Sequence, residues 1–136
     1  MAIPFPGDAW IKALMEDLNA SEAYAASATN WEGDFFFIIE PGGSLTESIT
    51  LYMDLWHGKC RKAFAVTEAD GLEPAFLLSA PAANWKKVMT KQLDPMQAMM
   101  TGQLKLKGNM AMIMKNVRAA KELVESCTRI DTDYPL

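Results

Sequence analysis

The hydrophobic pattern switches between helical and strand periods along the chain, and each switch marks a change of element. Over residues 8–19, Trp10, Ile11, Leu14, Met15 and Leu18 recur at i, i+3 and i+4. That spacing predicts an amphipathic helix, capped by Asp8 and ended by Asn19. "SEAYAAS" predicts a shorter helix with Ser21 as its cap and Tyr24 packing inward. From residue 33 the period falls to two. "GDFFFIIE" is apolar on both faces, which suits a strand in the middle of a sheet or one covered on both sides. "ESITLYMDLW" alternates, with Ile49, Leu51, Met53 and Leu55 on one face and Ser48, Thr50, Tyr52 and Asp54 on the other. "CRKAFAVT" and "AFLLSA" predict two more strands, and "PGGS", "HGK" and "EADGLEP" the connections. Short glycine-containing turns between strands predict an antiparallel meander.

After Pro81 the period returns to 3.6. Pro81 suits the first turn of a helix running to about Lys91, with Trp85, Val88 and Met89 on its apolar side. Asp94 then caps a helix with Pro95 at its first position, and Gly102 follows its last turn. "QLKLKG" alternates again and predicts a short fifth strand with Leu104 and Leu106 turned inward. Gly108 and Asn109 lead into a last helix whose apolar positions include Ile113, Val117, Ala120, Val124 and Cys127. Passing from strand to helix cap within one residue predicts a positive φ at Gly108. The expected fold class is α+β: a five-stranded, mainly antiparallel sheet covered on one face by helices, in one domain over residues 1–136.

Composition narrows the function. With a net charge of −4 and no Lys/Arg run longer than Lys86-Lys87, a nucleic-acid partner is excluded. Two cysteines and a single histidine, His57, are too few for a zinc site or a disulfide framework, so two free thiols are expected. No apolar run is longer than the five residues of Phe35–Ile39, far short of a membrane span. "MAIPFPGDAW" has no signal-peptide character and "DYPL" is not a Ser-Lys-Leu address, so the expected location is the cytoplasm.

Catalytic chemistry finds no support. His57 lies in a turn beside Gly58 and Lys59, where a solvated side chain is the ordinary outcome. Cys60 is followed by Arg61 and Lys62, cations that would lower its pKa if they faced it. Successive strand residues point to opposite faces, however. Glu40 and Asp54 are single carboxylates on different strands, and no phosphate-cradling, dinucleotide or metalloprotease motif occurs. No cofactor and no metal are expected, and the chain reads as a non-enzyme.

What remains is a run of methionines. Six of the chain's ten lie in "LDPMQAMMTGQLKLKGNMAMIMKN", residues 93–116. Met96, Met99 and Met100 stand at i, i+3 and i+4, and Met110 and Met114 at i and i+4, with Met112 on another face. Such a stripe is either ordinary core or the adaptable wall of a cavity that accepts a variable apolar guest.

The same segment resembles the signature of the sterol carrier protein-2 family. The matching features are an Asp-Pro helix, the small Ala98, Met-x-Gly-x-Leu-Lys-x-Lys-Gly, an Asn cap and a Met-rich helix. "LNASEAYAASATNWEGDFFFIIEP" and "ANWKKVMTK" agree upstream, so the resemblance runs from Trp10 to about Val124. It implies an apolar tunnel between the sheet and the C-terminal helices, holding a sterol, fatty acid or acyl-CoA, with residues 94–114 as one wall. The expected ligand-binding residues are Met96, Met99, Met100, Leu104, Met110, Ile113 and Met114 from that wall. Ile49, Leu51, Met53 and Leu55 would face them from the sheet, with Trp85 and Met89 beside them. Lys86, Lys87, Lys91, Lys105 and Lys107 are candidate head-group anchors. Burying about sixteen methylenes contributes roughly 12 kcal/mol, against an association cost of about 4–15 kcal/mol. The expected partner is therefore a lipid or other long apolar molecule, held with low selectivity among chains. Transient membrane contact and a homodimer both fit this picture. The alternative is a dimerisation or interaction module whose methionines are merely core, and a co-purified lipid would separate the two.

Overall fold

Strand β2 (Glu32–Glu40) occupies the middle of the sheet, as its two apolar faces require. The computed structural model describes residues 2–42, 45–67 and 71–134. The other strands of this sheet are β3 (Ile49–Trp56), β4 (Lys59–Ala65), β5 (Phe76–Pro81) and β6 (Lys105–Lys107), in the spatial order β4-β3-β2-β5-β6. The pairs β2–β3, β3–β4 and β5–β6 are antiparallel. The fourth strand departs from the meander predicted by the turns. β5 runs parallel to β2, with Phe35 opposite Phe76 and Phe37 opposite Leu78. The cause is β2 itself, which has a second edge to satisfy, and the ten-residue connection after Ala65 is long enough to carry the chain back across. Parts of two predicted turns, Gly43 and Ser44 of "PGGS" and Glu68–Asp70 of "EADGLEP", lie outside the described residues.

The helices gather on one face of the sheet. Helix α1 (Asp8–Ala20) buries Trp10, Ile11, Leu14 and Leu18 and packs on β4 and β3. Its cap is Gly7, extended at φ 180°, rather than Asp8. Asp8 is the first helical residue instead. One of its oxygens takes the Lys12 ammonium at 2.6 Å, and the other accepts from the Ala65 amide at 2.9 Å, which ties the helix start to the end of β4. Helix α2 (Glu22–Ser27) is capped by the Ser21 hydroxyl, which accepts from the Tyr24 amide at 3.1 Å. Helix α3 (Ala82–Met89) stops two residues before the expected Lys91, whose φ of 63° cannot continue it. Helix α4 (Pro95–Met100) has the Asp94 cap and N-terminal proline that the sequence predicts.

The last helix is two helices. α5 (Met110–Lys115) and α6 (Val117–Arg129) are separated by Asn116, at φ −123° and ψ 35°. The Asn116 side-chain amide donates to the Met112 carbonyl at 2.7 Å and offers the backbone an alternative to continuing the helix. The break lets α6 turn away and lie across α1, α2 and α3. Strands β1 (Ile3–Pro4) and β7 (Thr132–Asp133) pair in parallel and bring the two ends of the described chain together. They escape the sequence pattern because two residues carry no periodicity. Beside them Phe5 is buried, edge-on to Trp10 at 4.8 Å.

Candidate functional site

α6 rests chiefly on other helices rather than on the strands, so it bridges over the sheet like a beam. Beneath it lies an apolar cavity of about 120 Å³. The floor is the helix-facing side of the sheet: Phe35, Phe37 and Ile39 of β2, Leu51 and Leu55 of β3, and Leu78 of β5. Trp31, Phe35, Phe37 and Phe76 stack along this floor with ring centroids 5.0–5.8 Å apart, and Trp85 meets Phe37 edge-on. Flat rings locked against one another make a floor that does not collapse upward. Trp10, Ile11 and Leu14 of α1 form one wall, and Trp85, Val88 and Met89 of α3 another. The roof is α6, which presents Ala119 and Ala120 between Asn116 and the larger Leu123 and Val124. Alanines at the middle of a roof leave space that leucines would fill.

Seven of the residues expected at a site come together here: Leu51, Leu55, Trp85, Met89, Met99, Leu104 and Ile113 line the cavity. Met53 and Met96 are buried in the packed core without reaching it. Ile49 and Met110 are half-buried outside it. Met100 and Met114 face solvent, 72% and 49% exposed. The reason is helix length. α4 and α5 have six residues each, and their inward positions go to Met96, Ala98 and Ile113. The residues 94–114 therefore reach the cavity through Pro95, Met99, Leu104 and Ile113. The larger share of the lining, on α1, α2, β2 and α6, lies outside the residues that the sequence singles out as a site. The α1 stripe is legible as an inward face, whereas Ala119 and Ala120 are too small to carry a hydrophobic signal.

The cavity's polar inventory is short. Each lining indole donates to the protein: Trp10 to the Thr132 hydroxyl at 3.0 Å, Trp31 to the Gly33 carbonyl at 3.1 Å, Trp85 to the Ile38 carbonyl at 3.0 Å. Among the described residues, the ionisable ones in the lining are Tyr24 and Cys127, and burial raises the pKa of both. None of the described lining residues is an acid or a base charged at neutral pH. Cys60 lies outside the cavity. Burial pushes its thiol up to about 12, so desolvation outweighs the cations beside it in sequence. His57 is exposed and fastens the β3–β4 turn, its ring nitrogens 2.8 Å from the Thr29 carbonyl and 2.6 Å from a Glu32 carboxylate oxygen. No group of side chains with metal-binding geometry occurs among the described residues.

A more open and more polar cleft of about 480 Å³ follows the end of α6 along Thr128–Thr132 and Tyr134. Met89 and Cys127 belong to both the cleft and the cavity, so they are the partition between them. Of the lysines considered as anchors, Lys91 pairs with Glu125 and Lys86 lies over the Tyr134 ring at 5.2 Å. Lys87, Lys105 and Lys107 are exposed. No described helix is long and apolar enough to cross a membrane.

Comparison with known proteins gives a consistent picture. The model of the SCP-2 sterol transfer family matches residues 10–121. A crystal structure of sterol carrier protein 2 is similar at a TM-score of 0.82 and 36% identity, over 90% of this chain and 96% of that one. The solution structure of a conserved protein from Thermus thermophilus is similar at 0.82 and 35% identity, over 94% of this chain and 90% of that one. Stomatin-like protein 1 of Mus musculus is 35% identical over 88 residues, 65% of this chain. The chain spans about a fifth of that relative's length, 21%.

Proposed function

The chain belongs to the SCP-2 sterol transfer family, and from that premise we propose that it is a non-enzymatic carrier, a single domain over residues 1–136. It holds one long apolar molecule, a sterol, fatty acid or acyl-CoA, beneath α6. The observation that carries this reading is the cavity between an aromatic floor and a roof of small residues, with no charged group among the described residues that line it. At about 120 Å³ it is narrower than the roughly 300–1,000 Å³ of occupied ligand pockets, so loading must widen it. Met89 and Met99 are suited to that movement, because an unbranched thioether repacks at low cost. Met89 and Cys127, shared by cavity and cleft, mark a wall through which a chain could enter. The exposed Met100 and Met114 offer a soft apolar surface for brief contact with a membrane during exchange. Two buried free thiols suit a reducing compartment, and we place the protein in the cytoplasm.

The test is native mass spectrometry of protein purified without detergent, before and after organic extraction. A carrier gives additional masses that extraction removes and that thin-layer chromatography identifies as lipid. An interaction module gives a single unliganded mass, or a dimer, and no extractable lipid. That second result would overturn the reading.

A further inference from the structure

The charge of the chain is divided by position. Residues 82–121 hold eight of its thirteen lysines and arginines and one of its seventeen acids, Asp94. They carry a net +7 within a chain of net −4, so the remainder carries −11. The fold keeps this division in space. The same residues build α3, α4, β6, α5 and the start of α6, which gather at the β6 edge of the sheet. β6 pairs with β5, the Asn84 side chain of α3 donates to the Gln103 carbonyl at 3.0 Å, and α6 lies against α3, α4 and α5.

All eight cations are exposed. Lys91 pairs with Glu125, and Lys86 lies over the Tyr134 ring. Lys87, Lys105, Lys107, Lys115, Arg118 and Lys121 have no ion pair with a described residue. The acids on these elements and at their border are too few to neutralise them. Asp94 caps α4 by accepting from the Gln97 amide, and Glu125 is taken by Lys91. Glu122 on α6 and Glu40, opposite Pro81 where β2 meets β5, are half-buried. Among the described residues the exposed large apolar side chains are Trp56, Met100 and Met114, and both methionines lie among these cations. Cations around soft apolar tips complement an anionic bilayer. The lysine heads meet phosphate and carboxylate groups while the thioethers enter the interface.

Deepening the carrier reading, on which its exchange role rests, we propose that the β6 end of the molecule is the surface that docks on an anionic phospholipid bilayer. The elements of this end supply Pro95, Met99, Leu104 and Ile113 to the cavity lining, so docking sets the cavity against the lipid. That link favours a bilayer over an acidic protein, because the cargo of an apolar carrier resides in membranes. Helix α1 suits such a surface poorly: it carries −2, and its Lys12 is held by Asp8.

Flotation with vesicles of phosphatidylcholine, alone or with about a third phosphatidylserine, tests this. At low ionic strength the protein should bind the mixed vesicles at least tenfold more tightly than the neutral ones, and about 0.5 M salt should release it. Each cation near the surface strengthens binding by roughly fivefold, so Lys107→Glu with Lys115→Glu should weaken it at least tenfold. Lys59→Glu with Lys62→Glu, the same change of charge on β4, should bind within about twofold of the wild type. The wild-type preference needs no variant and stands even if a variant folds poorly. Equal binding to both kinds of vesicle, or equal loss in both variants, would overturn the docking surface. Salt-sensitive self-association without vesicle binding would assign the cations to a second copy and overturn it too. A protein that takes up a pyrene-labelled hydrocarbon but binds no vesicle would overturn the docking end and leave the carrier reading intact. One that binds vesicles but takes up no hydrocarbon would overturn the exchange role, and the carrier reading with it.

Discussion

Cys60 and Cys127 are both buried, and burial pushes each thiol from about 9 up to about 12. In the unfolded chain these groups ionise near pH 9, while in the folded protein they stay neutral until about 12. The stability they contribute is therefore fully present below pH 9 and is lost as the pH rises toward 12. Each thiol should tilt the stability by about 1.4 kcal/mol per pH unit in that window. Urea midpoints measured from pH 8 to 11 should fall steadily above pH 9, and less steeply in Cys127→Ala. Iodoacetamide at pH 8 should modify neither thiol until urea unfolds the chain. Rapid modification of native Cys60 would mean that Arg61 and Lys62 govern it after all. Sequence adjacency invites that reading, but a strand directs neighbouring side chains to opposite faces, and only burial decides.

At the scale of elements, the passage from β6 to α5 turns on one residue. Gly108 has φ of 140°, which side chains disfavour. A Cβ there would also sit 2.6 Å from the Phe76 ring and 2.9 Å from the Ala75 carbonyl. Gly108→Val should therefore cost well over the ~1 kcal/mol of an average substitution and loosen the cavity, because Phe76 is part of the stacked floor. Gly102 is the control: its φ of 78° is strained for valine, but nothing lies within 4 Å. Gly102→Val should lower the melting temperature less and leave ligand affinity nearly unchanged. An unaltered melt of Gly108→Val would contradict this account of the turn. Caps and turns are the most legible features of the sequence, since Ser21, Asp94, Asn109 and Gly108 each act on their immediate neighbours. The parallel β2–β5 pair and the break at Asn116 are not, because both depend on what lies across the fold.

For the molecule as a whole, the α+β class and the one-sided helical layer follow from the switches between helical and strand periods. The cavity follows only in part. Its existence depends on α6 lying on α1, α2 and α3 and not on the sheet, an arrangement with no local signature. The methionine-rich stretch draws attention to α4 and α5, yet most of its members serve the core or the surface, and Met99 alone of the six reaches the cavity. The roof is set by what is absent, the side-chain bulk missing at Ala119 and Ala120.

That roof gives the most direct test of the account. Ala119 is buried, at 6% exposure, and lines the cavity, so Ala119→Leu adds three carbons to the space that a ligand would occupy. Filling an apolar void is favourable by about 0.8 kcal/mol per methylene, so the variant should fold with an unchanged or raised melting temperature. Titration of a pyrene-labelled hydrocarbon into wild type and Ala119→Leu, with melts in parallel, should show affinity falling at least tenfold while stability holds. Unchanged affinity in the well-folded variant would place the ligand elsewhere and contradict the claim that the space beneath α6 is the binding site.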